Sequence, residues 1–197
     1  MNTAEEAKPT RRRRDPQWTY AVLVDALLEL LAEGRGVPTG KAIAERAGVS
    51  QRTVFVHFAD REALYVAAAR RQAERWRALA EPVPPTLETG RKVAALLDQR
   101  ARMYELMTPI RVYGLALEVD SAGLREVMRA GDDWFGADLA RTFAPELEAA
   151  GEQRAELLAA LDGASSWAAW NHLRERRDLT VAQAGAALAR TLTALLA

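Results

Sequence analysis

Apolar residues begin to recur at helical spacing at Tyr20, followed by Leu23, Val24, Leu27, Leu28 and Leu31. These positions form one face of an amphipathic helix about four turns long. Asp15 and Pro16 open it, since Asp caps orphan amides and Pro is tolerated at the first helical position. Gly34 and Gly36 close it. Thr39 is placed to cap a second helix over 41–47, with Ile43, Ala44 and Ala47 inward. Gly48 supplies a turn, Val49 plugs the core and Ser50 caps a third helix. Val54 and Phe58 lie one turn apart and face inward. Gln51, Arg52, Thr53, Phe55, Val56 and His57 are left to the outer surface. A short helix, a glycine turn and a second short helix over residues 43–64 spell a helix-turn-helix, which lays one helix into the major groove of DNA.

The next helix runs from Asp60 to about residue 79, where the prolines at 82, 84 and 85 stop it. Further helices are predicted over about 87–107, a short stretch after Pro109, and about 121–143, 152–176 and 181–196. Thr180 and Gln183 form a capping box for the last of these. Its inward face is Val181, Ala184, Leu188, Thr191, Leu192 and Leu195, and the helix before it offers Leu157, Leu158, Leu161, Ala164 and Ala168. The expectation is an all-α chain in three parts: a basic arm over 1–14, a three-helix DNA-binding domain over 15–62, and a helical ligand-binding and dimerisation domain over 63–197.

Composition narrows the class without naming it. The chain of 197 residues is 49% hydrophobic and 27% charged, as in ordinary globular proteins. With no cysteine it has neither disulfides nor a thiol nucleophile. No continuous apolar leader or spanning segment is seen, so a cytoplasmic protein with no membrane partner is expected. The net charge is zero, but residues 1–80 hold 14 Lys+Arg against 10 Asp+Glu and residues 81–197 hold 13 against 17. One end of the chain is therefore the better match for a polyanion. Arg11, Arg12, Arg13 and Arg14 cap a polar, aperiodic tail. That tail is either a solvated end or an arm that tracks phosphates beside the helix-turn-helix.

The run AIAERAGVSQRTVFVHFADREAL over residues 42–64 resembles the DNA-binding domain of the tetracycline-repressor (TetR) family of bacterial regulators. Ile43-Ala44, Ala47-Gly48-Val49-Ser50, Thr53, His57-Phe58, Glu62 and Leu64 carry the resemblance, which extends over about residues 18–66. It implies that Gln51 and Thr53 reach phosphates or base edges at the start of the recognition helix. Arg52 would read a guanine or touch a phosphate, and Val56 suits a thymine methyl. His57 and Arg61 would contact the backbone. Phe55 stands where relatives carry tyrosine, so its ring remains while the hydroxyl is missing. Gly40 stands where a β-branched residue is common, leaving Thr39 and Lys41 as the candidates at the start of the second helix.

The second body concentrates bulky groups with polar handles: Met103, Tyr104, Met107, Arg111, Trp134, Trp167, Trp170 and Asn171. These are either core residues or the lining of a ligand pocket. The resemblance implies a small-molecule effector there, and homodimerisation through the helices over 152–176 and 181–196. The expected function is a ligand-responsive transcriptional regulator, most often a repressor, that binds a pseudo-palindromic operator as a dimer. The alternative is an architectural or constitutive DNA-binding protein without a ligand. No cofactor or metal is expected. An enzyme is disfavoured: Asp132 and Asp133 are adjacent, so on a helix they point about 100° apart, and no phosphate loop or nucleophile elbow occurs.

Overall fold

The computed structural model describes residues 15–197, so the basic arm lies outside the described residues. Among the described residues ten α-helices follow in order: α1 (Pro16–Ala32), α2 (Gly40–Arg46), α3 (Gln51–His57), α4 (Arg61–Arg77), α5 (Thr89–Leu117), α6 (Ala122–Thr142), α7 (Ala144–Ala149), α8 (Arg154–Ala164), α9 (Trp167–Asn171) and α10 (Val181–Leu195). Among the described residues there is no strand. The all-α expectation holds.

Local signals set the first four helices. Asp15 accepts from the Gln17 amide at 2.9 Å, Thr39 from Ala42 at 3.1 Å, Ser50 from Thr53 at 3.2 Å and Asp60 from Ala63 at 2.8 Å. Each side chain thus satisfies an amide that the helix itself leaves unbonded. Gly48 turns the chain between α2 and α3 at φ +64°, a conformation that costs other residues strain. Leu23, Val24, Leu27, Leu28 and Leu31 of α1 are buried with Ile43, Ala44, Val54 and Phe58. Tyr20 is 43% exposed, yet its ring still packs 4.8 Å from that of Phe58. Ile110 of α5 and Leu124 of α6 belong to this same core, so α4 is packed on the head by one side and on the body by the other.

The body is built around aromatic rings. Trp76 stacks on Phe135 at 4.9 Å, and Tyr104 lies 5.2 Å from Phe135 and 6.1 Å from Trp170. Three expectations are corrected here. The first concerns Pro109, which ends no helix: α5 runs unbroken from Thr89 to Leu117 with Pro109 inside it. Proline forfeits one helical hydrogen bond and costs roughly 3 kcal/mol. Met103, Tyr104 and Met107 before it and Ile110 and Arg111 after it are all buried, and that burial outweighs the cost.

The second correction concerns 152–176, which is not one helix. The Ser165 carbonyl is diverted to the Tyr104 hydroxyl at 2.7 Å and to Arg100 at 3.2 Å. The chain breaks there, restarts as α9 under a Ser166 cap, and finishes in a single π-helical turn over His172–Arg176. The third is α7, a short helix opened by Pro145 that the pattern did not reveal. The capping box of Thr180 and Gln183 forms as expected.

Candidate nucleic-acid interface

The outward face of α3 follows from its inward one. Val54 and Phe58 are 6% and 4% exposed in the head core, which fixes the rotation of the helix. Gln51, Arg52, Phe55 and Val56 then face solvent, with Phe55 66% and Val56 72% exposed. Large apolar groups so exposed on an otherwise packed helix mark a contact surface. Thr53 is half-buried, and its hydroxyl is 2.8 Å from that of Ser50. His57 is half-buried at the end of the helix.

The start of α2 and the start of α4 flank this face. A hollow of about 170 Å³ is shared by Gly40 of α2, Gln51 and Phe55 of α3, and Arg61 of α4, with Ile43, Phe58 and Tyr65 beneath. The structure therefore brings together Gly40, Gln51, Phe55 and Arg61 from three helices. Gly40 leaves the hollow open, since a Cβ there would meet only Gln51 Nε2, at 3.9 Å. Arg61 lies 5.1 Å over the Tyr65 ring and donates to its hydroxyl at 3.3 Å, which stiffens a long side chain otherwise free to wander. Thr39 is committed to capping α2, and exposed Lys41 sits 3.8 Å from Glu45. Such an exposed pair is weak and easily exchanged for a phosphate. Arg52 has no ion-pair partner among the described residues. Its charge is therefore available to a ligand.

The candidate pocket residues of the body separate. Tyr104, Trp167 and Trp170 are buried, and their polar handles go to Ser165, Thr108 and Glu105 of the same chain. Burial pushes the Tyr104 hydroxyl's pKa above its ordinary value. Met103 is fully buried, and Trp134 packs edge-on against Trp76 at 5.3 Å. Asn171 keeps a buried Oδ1 without a partner. Met107 and Arg111 of that set line a cavity, which they share with Gln72, Trp76 and Met128.

Sequence reasoning missed one junction. The Ser121 hydroxyl caps α6 through Leu124 N at 3.1 Å and donates to Glu62 of α4 at 2.6 Å, tying the first turns of α4 and α6 together. The Ser-x-x-Leu cap was legible in the sequence, but its partner 59 residues away was not.

A short helix locked by its inner face and presenting an unpaired arginine beside exposed apolar side chains defines a helix-turn-helix head of the DNA-binding type. Residues 23–68 match the family model for bacterial regulatory proteins of the tetR family, and the chain thus carries that family's N-terminal domain. No curated protein matches the chain. Among solved structures, a transcriptional regulator from Rhodococcus sp. Rha1 is 23% identical, with a TM-score of 0.61 over 92% of this chain and 96% of that one. The multidrug binding protein EbrR, solved with imidazole, is 21% identical, with a TM-score of 0.59 over 87% and 93% of the two chains. At these identities the likeness establishes the fold along nearly the whole length. Among the described residues no helix is long and apolar enough to cross a membrane.

Proposed function

We propose that this protein is a transcriptional regulator, acting as a repressor, that binds a pseudo-palindromic operator as a homodimer and is released by a small-molecule effector. The observation that carries the reading is the outer face of α3, where Arg52, Phe55 and Val56 stand exposed within a tetR-type domain. Gln51, Thr53 and His57 complete the recognition helix, and Thr39, Lys41 and Arg61 supply phosphate contacts from its flanks. Two heads are needed because a seven-residue helix reads only a few base pairs, and a dimer places its copies about 34–36 Å apart on one DNA face.

Dimerisation through α8 and α10 is supported by surface composition. Val181 and Leu195 are 41% and 37% exposed, and a Cβ added at Gly163 or Gly185 would meet nothing within 4 Å. Release by an effector is supported by the cavity beside α4 and by the solved neighbour EbrR, which binds multiple drugs. Nothing in this reading requires an enzyme, a cofactor or a cytoplasmic partner other than DNA.

The test is fluorescence anisotropy of the full chain on DNA flanking its own coding region. Arg52→Ala is expected to weaken the best site by roughly 1–3 kcal/mol and relax its base preference. Indistinguishable binding of specific and random duplexes by the unaltered protein would refute the reading.

A further inference from the structure

The hollow shared by the starts of α2 and α4 and the outer side of α3 measures about 170 Å³. Its floor is Ile43, Val54, Phe58, Leu64 and Tyr65, each no more than 6% exposed. Its rim is exposed, with Gln51, Asp60 and Arg61 standing around it beside the Phe55 ring. Water over such a floor finds few hydrogen-bond partners and is readily displaced by an apolar group. An apolar cavity of roughly 150 Å³ holds benzene, so the space here suits one six-membered ring. Phe55, Phe58 and Tyr65 supply aromatic walls for it. Gly40 keeps the hollow open, because a Cβ there would meet only Gln51 Nε2, at 3.9 Å. A larger side chain at this lining position takes up the space. Arg61 is held at the rim by Tyr65, whose ring and hydroxyl lie 5.1 Å and 3.3 Å away. Among the described residues no carboxylate pairs with it. The neighbouring Asp60 is engaged in capping α4, its Oδ1 accepting from the Ala63 amide at 2.8 Å.

We propose that this hollow takes a small aromatic carboxylate, with the ring on the apolar floor and the carboxylate on Arg61, and that the ligand excludes DNA directly. A guanidinium receives a carboxylate and a phosphate through the same paired N–H donors. Arg61 is also the phosphate contact assigned to the start of α4, so it cannot serve both at once. A neutral ring gains the floor without the charge. A cation would face the guanidinium across the mouth. The ligand therefore acts where DNA binds and needs no change of shape in the body. The proposal rests on the reading of the α3 face as a DNA-binding surface. Its ligand titration uses the DNA-free full chain, so failure of DNA binding and failure of ligand binding are separate results.

Isothermal titration of the DNA-free full chain with phenylacetate is expected to saturate at about millimolar concentration. Benzyl alcohol and phenethylamine share the ring and should bind about tenfold more weakly or worse. Gly40→Leu is expected to abolish phenylacetate binding without lowering Tm, since leucine favours a helix more than glycine does. Arg61→Gln should weaken phenylacetate by about tenfold or more and bring it level with benzyl alcohol. In fluorescence anisotropy at constant ionic strength, phenylacetate should raise the dissociation constant for DNA in proportion to its concentration, without a plateau. Mutual exclusion has no ceiling, whereas coupling between separate sites is finite. The proposal is overturned if phenylacetate does not saturate, if benzyl alcohol or phenethylamine binds as tightly, or if Gly40→Leu binds phenylacetate undiminished. A DNA dissociation constant that stays put or levels off as phenylacetate rises would overturn it as well.

Discussion

Replacing Ser121 by alanine removes two bonds at once, and the structure separates their sizes. The hydroxyl caps α6, and losing such a cap costs about 1 kcal/mol. It also donates to the Glu62 carboxylate, a charge-assisted bond worth about 1.5–2 kcal/mol. Glu62 is exposed, so once released it is resolvated and adds no burial penalty. Ser121→Ala should therefore cost about 2.5–3 kcal/mol. Glu62→Ala loses only the shared bond and a favourable charge at the start of α4, about 2 kcal/mol. The double variant should cost about 3 kcal/mol rather than the sum, a coupling of about 1.5–2 kcal/mol. Urea unfolding of all four proteins measures the cycle. Additive losses, within about 0.5 kcal/mol, would show that the two side chains do not act together and that α4 and α6 are joined only by apolar packing.

Two further outcomes are expected. Gly48→Ala forces a non-glycine residue to φ +64° and should destabilise the head by about 1–2 kcal/mol, measured by thermal unfolding; an unchanged Tm would refute it. Glu105 accepts from Arg174 and from Trp170, and chiefly the Arg174 bond, against the opposing effect of burial, holds its carboxyl below its ordinary 4.5. The unfolded chain thus takes up the proton first on acidification. The stabilisation is complete above the unfolded pKa and is lost as pH falls through the folded one. Solvent screening limits it to about 1 kcal/mol, so Glu105→Gln should cost that much near neutrality. The gap to the unaltered protein should close as pH falls below about 4.5, and a constant gap across a pH series of denaturation curves would contradict the assignment.

The head was legible because its signals are local. Asp15, Thr39, Ser50 and Asp60 lie within three residues of the amides they cap, and the spacing of Val54 and Phe58 sets the rotation of α3. The body answers to distant contacts. Pro109 reads as a stop in isolation, yet the burial on both sides of it continues α5. Ser165 breaks a helix because Arg100 and Tyr104, 65 and 61 residues away, take its carbonyl. Trp167, Trp170 and Tyr104 read as pocket residues by type, and their polar handles go to Thr108, Glu105 and Ser165 of the same chain. Gln72 and Met128 carry no sequence signal that sets them apart from other helical residues, and only the packing of α4 against α6 brings them to one cavity.

The sharing of one core by head and body bears on how modules of this kind can be exchanged. Leu64 and Tyr65 complete the packing beneath α3, while Ile110 and Leu124 press on the same cluster from α5 and α6. A transplant of residues 15–62 alone would arrive without its floor. Exchange of reading heads between such proteins is therefore constrained to carry α4 along, or to land on a recipient whose fifth and sixth helices already present a matching apolar surface. The head is thus free to vary on its outer face and held by its packing on its inner one.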